Sequence, residues 1–169
     1  MTKIAVNLVP LPHLSALAAT AADHTDAYRV SLPAHAPRDA SAIAELLFGQ
    51  GPAWVRRLMQ LRDWLVRPFG LATLPAPAPA DPPIPLTVGA HVGPFRVFGV
   101  TAQEVILGQD DAHLDFRVSV LVTGPAVVVT TVVWFHNGFG RAYFTLIRPF
   151  HHLVVPALLR YALRYSPRP

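Results

Sequence analysis

Cysteine is absent from this chain. That excludes disulfides, thiolate zinc sites and a cysteine nucleophile, and it leaves the redox compartment open. Lysine is nearly absent: Lys3 is the only one, so the other thirteen of fourteen cations are arginine. These arginines scatter along the chain without a block of about five like charges, a weak footprint for nucleic acid, and no nucleic-acid partner is expected. No apolar run reaches the length of about eighteen residues that suggests a membrane-crossing helix, so no membrane partner is expected either. Motifs of several enzyme classes are missing as well. No metalloprotease helix motif occurs. Ser119 lacks the flanking glycines of a nucleophile elbow, and Gly138 and Gly140 lack the third glycine of a dinucleotide fingerprint.

What remains is 169 residues with a net charge of +4. That length suggests one domain, residues 1–169, able to bury a core without disulfide or metal. Lys3 and the apolar residues after it faintly resemble a signal peptide. Pro10, Pro12 and His13 interrupt the run, so it reads as a mature cytoplasmic segment. Residues 14–22 suggest a short alanine-rich helix, and Asp26 to Leu32 alternates as a strand. Asp39 suits the N-cap of a helix through Phe48, and Pro52 the start of a second. In the second, Trp54, Leu58, Leu61 and Leu65 fall on one face, which predicts packing on a core. Residues 74–86 are proline-rich and suggest an exposed, extended spacer.

From Val92 onward strands dominate. The predicted strands are 92–100, with Pro94 at a bulge or edge, then 103–107, 113–123, 126–136 and 141–148. A closing helix follows from Phe150 to Tyr165, kinked at Pro156. Turn signals at Gly108–Asp111, Gly124–Pro125 and Asn137–Gly138 set the register. They sort Glu104, His113, Asp115, Arg117, Ser119, Thr130, Trp134, His136, Arg141 and Tyr143 onto one face. The valines and phenylalanines, including Phe116, Val118, Val129, Val133 and Phe144, go to the other, which the closing helix must cover.

This order of elements resembles the helix-grip fold of the START-like, birch-pollen-allergen-like superfamily, an α+β class in which a curved antiparallel sheet packs on a long C-terminal helix beside two shorter helices. More narrowly, Asp26-Ala-Tyr28, Pro52-Ala-Trp-Val-Arg56, Glu104–Gly108, His113–Arg117, His136-Asn137, Gly140–Tyr143 and Pro149–His151 resemble a bacterial family of unknown function within it. Its members occur alone or joined to a short-chain-dehydrogenase-like domain. The resemblance implies a fold and a pocket but no mechanism.

Chemistry is sought on the polar face. The register pairs Glu104 with Arg117 as a cross-strand ion pair, sets Asp115 opposite Trp134, and sets His113 opposite His136. Asp115, Arg117, His136, Arg141 and Tyr143 are expected to converge, with the arginines suited to a carboxylate or carbonyl and His136 to proton transfer. His113, Asp115 and His136 are conceivable metal ligands, but no metal and no cofactor is expected. His151, at the start of the closing helix, is expected to seat that helix on the sheet. The candidate ligand-binding residues are therefore Glu104, Asp115, Arg117, Trp134, His136, Arg141, Tyr143 and His151. The leading expectation is a domain that binds a small apolar or amphipathic molecule. The alternatives are a cyclase- or isomerase-type enzyme using the polar residues, and a structural module that forms a homodimer or meets another partner.

Overall fold

A computed structural model describes residues 4–49, 51–69 and 86–164. Its elements are β1 (Val6–Leu8), β2 (His24–Ser31), α1 (Ala40–Gly49), α2 (Ala53–Val66), β3 (His91–Val92), β4 (Phe95–Val100), β5 (Glu104–Asp110), β6 (Leu114–Thr123), β7 (Ala126–Phe135) and α3 (Gly138–Arg164). A 3-10 turn, Arg67–Phe69, extends α2. The strands form one antiparallel sheet in the order β1-β2-β7-β6-β5-β4-β3. The proline-rich segment 74–86, expected to be an exposed spacer, lies almost wholly outside the described residues.

The strongest pairing joins β6 and β7, ten residues each. Gly124 (φ 57°) and Pro125 connect them, and the positive φ is the backbone a two-residue hairpin needs at its first central position. Asp115 then faces Trp134, as the turn chemistry predicts. Period-two alternation puts Tyr28, Val30, Val97, Val105, Leu107, Val118, Val120, Val127 and Val129 on one face. There they pack with Ile43 and Leu47 of α1 and Leu159 and Leu163 of α3. A second, smaller cluster on the same face joins Leu114 and Val133 to Phe144, with Phe116 touching both clusters.

Asp39 caps α1 as expected, its carboxylate accepting the Ala42 N–H at 2.9 Å. The opposite sheet face is covered not by a helix but by the turns of residues 13–19, so the predicted alanine-rich helix is absent. Ser15 and Leu17 of that segment are buried.

Several other expectations need correction. The strand predicted over 92–100 is a hairpin, with Gly93 (φ 56°) and Pro94 as its turn and the bulge further on, between Val97 and Gly99. The β5–β6 pairing sets Glu104 opposite Leu121 and Gly108 opposite Arg117. The turn falls between Asp110 and Asp115 rather than between Gln109 and Ala112, a register slip of four residues that keeps every side chain on its predicted face but breaks the predicted Glu104–Arg117 pair. The largest correction is at Asn137-Gly138. No hairpin forms there and 141–148 is not a strand; α3 begins at Gly138 and runs unbroken past Pro149 and Pro156. The Asn137 side-chain oxygen accepts the Gly140 N–H at 3.0 Å, a helix cap. Gly140, Phe144, Ile147 and His151 then recur at helical spacing along the side facing the sheet. A Cβ at position 140 would lie 2.1 Å from the His113 carbonyl oxygen, so this close approach requires glycine.

Candidate functional site

The structure disperses the predicted site residues into separate groups. Glu104 is buried beneath the N-terminal turns. Its carboxylate accepts from Ser15 Oγ at 2.6 Å, from the Ala16 N–H at 2.9 Å, and from Ser119 Oγ. Arg117 donates to Asp110 at 2.6 Å and stacks over Phe98 at 3.5 Å, at the opposite end of β5. Asp115 pairs with His136 at 3.1 Å, beside Trp134, whose indole N–H donates to the Ala21 carbonyl at 2.7 Å. Arg141 and Tyr143 belong to α3 instead of the sheet. Arg141 lies 3.9 Å from Asp23, and the Tyr143 hydroxyl accepts from Arg62 Nε at 2.7 Å, tying α2 to α3. The predicted convergence of Asp115, Arg117, His136, Arg141 and Tyr143 does not form, because its last two members sit on the helix.

His151 does seat the closing helix on the sheet, from its middle rather than its start. Its Nε2 lies 3.1 Å from Asp26 Oδ2, and His24 Nε2 is also 3.1 Å from that oxygen. Next to them the Tyr28 hydroxyl meets His152 Nδ1 at 2.5 Å. His24, Asp26 and Tyr28 alternate on β2, so all three project from the sheet face that α3 covers. His151 and His152 sit in the stretch of α3 bounded by Pro149 and Pro156.

The electrostatics follow from these contacts. Burial by itself would raise the Asp26 pKa. The hydrogen bond and charge of His151, then those of His24, outweigh it and hold the carboxyl below its ordinary value. An ionised carboxylate only accepts, so each histidine carries its proton on Nε2 when neutral. Its Nδ1 lone pair is then left for another donor. The His152 imidazole is pushed below its ordinary pKa, mainly by burial. The attraction of Asp26 opposes that shift, and the positive charges of His151, Arg148 and His24 add to it. Burial, then the charge of Asp26, raises the Tyr28 pKa, so its hydroxyl stays protonated beside the His152 ring. Phe144 packs on His24 with ring centroids 4.7 Å apart, which places the second apolar cluster directly beside this polar group.

Sequence reading did not count His24, Asp26, Tyr28 or His152 among the site residues. The alternation of His24, Asp26 and Tyr28 on a strand was a readable signal. Their partners come from a helix more than a hundred positions away, which no local pattern reveals. Among the described residues, no group of three or more His, Asp or Glu side chains is arranged to hold a metal ion.

A family model for a protein of unknown function, DUF2867, matches residues 18–158. The chain belongs to this family. The DUF2867 match begins before β2 and ends within α3, so it contains both halves of the His24–Asp26–His151 cluster and the His152–Tyr28 pair. No curated protein and no solved structure matches the chain.

Proposed function

We propose that this DUF2867 chain is a START-like domain that binds a small amphipathic molecule, with its polar end at His24, Asp26 and His151. One observation carries the reading. On the sheet face that should be wholly apolar, a buried carboxylate with two histidines lies against an apolar cluster of Leu114, Val133 and Phe144. Charged groups are rarely buried without a partner or a use, and here each histidine keeps a second ring nitrogen beyond its bond to Asp26. A hydroxyl-terminated apolar molecule suits this arrangement, its O–H donating to an imidazole Nδ1 and its chain lying along Phe144.

The START-like assignment is supported by topology. Two helices separate the first long strand from a meander of strands, that first strand pairs with the last one, and a long helix closes the sheet. Native mass spectrometry of the purified chain tests the binding reading. A copurified molecule that is lost in the His24→Ala and His151→Ala variants supports it. Retention by both variants removes the assigned site.

A second reading, a cyclase- or isomerase-type enzyme, is favoured by the Asp26–His151 contact. A carboxylate that orients an imidazole makes that ring a competent general base.

A further inference from the structure

The side of α2 predicted to meet the core does not meet it. Val55 is buried and the Arg62 head group reaches Tyr143, whereas Trp54, Leu61, Trp64 and Leu65 are 47–72% exposed. On α3, Leu146, Phe150 and Leu153 are 47–69% exposed.

The two helices run antiparallel. Gly51, just before α2, lies against Leu158, and Arg62 near its end reaches Tyr143. At about 100° per residue, the exposed row of each helix is turned roughly a quarter turn, in the same rotational sense, from the line where the helices meet. In an antiparallel pair that places both rows on the same side. Residues 53–69 and α3 together hold eight arginines and one acid, Asp63, which is paired with Arg62 at 2.8 Å. All of these arginines except Arg62 are exposed. A shallow cavity of about 350 Å³ at the end of α2 repeats the theme, lined by Trp64, Leu65, Arg67 and Pro68.

We propose that α2 and α3 form a docking face for the surface of an anionic lipid bilayer. Tryptophan and leucine rows enter the headgroup region while Arg57, Arg160 and Arg164, which the same helical spacing sets beside the rows, and Arg67 beside Trp64 meet lipid phosphates. No helix among the described residues is long and apolar enough to cross a membrane, so the contact is peripheral. The lack of a long apolar run argues only against crossing, and the exposed rows revise the expectation of no membrane partner. Charge selects the occupant. A second copy would bring the same arginines against one another, whereas an anionic bilayer complements both the arginines and the apolar rows.

The test is flotation of the full chain with vesicles of phosphatidylcholine alone or mixed in equal parts with phosphatidylglycerol. The chain should float with the mixed vesicles only, and added salt should release it. A Trp64→Ser/Leu65→Ser variant should keep its melting temperature, because both side chains are exposed, and should lose roughly ten-fold in partitioning. An Arg57→Glu/Arg160→Glu variant, both side chains exposed beside the apolar rows, should lose at least roughly five-fold per arginine. The proposal is overturned if the native chain ignores the mixed vesicles, or binds pure phosphatidylcholine equally well. It is also overturned if the serine variant partitions unchanged. A dimer in sedimentation equilibrium that the serine substitutions dissolve would assign the face to a second copy and overturn it as well.

Discussion

Asp26 and His151 are 125 positions apart in sequence and meet at 3.1 Å, joining the second strand to the middle of the closing helix. That contact places a charge inside a face of valines and phenylalanines, and both stability and function should depend on it.

Acidification should destabilise the protein in two stages. The folded-state pKa of His152 is depressed, so the stability of its neutral form is fully present above the unfolded value of about 6.5 and declines as pH falls below it. The Asp26 pKa is depressed as well, so its contribution is present above about 3.9 and is lost as pH falls through the lower folded value. Melting temperature measured against pH should show both declines. Asp26→Asn should remove the more acidic one; a variant with an unaltered profile would contradict the assigned ion pairs.

The start of α3 is tested by four substitutions. Asn137→Ala removes the cap and should cost about 1 kcal/mol. Gly140→Ala should cost more, since its methyl group meets the His113 carbonyl. Phe144→Ala should cost about 3–5 kcal/mol through lost burial and the cavity left behind. Leu146→Ala, exposed on the helix, should leave the denaturation midpoint nearly unchanged. If 141–148 were a strand with Leu146 facing the core, Leu146→Ala would destabilise as much as Phe144→Ala.

Glu104 anchors the N-terminal turns through Ser15 and the Ala16 amide. Glu104→Leu should detach them, and hydrogen exchange should accelerate at residues 14–18 while β6 and β7 stay protected. Unchanged exchange at the Ala16 amide would show that other contacts hold the segment.

Much of the sheet was legible in the sequence because side-chain alternation and the Gly124-Pro125 turn are local signals. They place Asp115 opposite Trp134 without any tertiary information. Asn137-Gly138 was misread because the same pair opens a hairpin or caps a helix. The aromatic and β-branched residues after it have strand propensity, which packing against the sheet overrides. Glu104 was given the wrong partner because the length of the β5–β6 turn is not fixed by composition, and two of its three real partners, Ser15 and Ala16, lie almost ninety positions upstream. The side of α2 that meets α3 is chosen by Arg62 and Tyr143, so its apolar periodicity pointed the wrong way. Of the predicted site residues, His151 alone joins the Asp26 cluster, since the others were grouped by a register that α3 interrupts.

The most direct test of a binding site at this cluster is long-range proton–nitrogen NMR of the imidazoles during titration with 1-octanol, a hydroxyl-terminated apolar probe. The Nδ1 signals of His24 and His151 should shift in a saturable way, with His13, His35 and His91 unmoved, and Phe144→Ala should weaken the effect. Saturation of the sample with octanol without movement of the His24 and His151 signals, or with equal movement of all the histidines, would contradict the site.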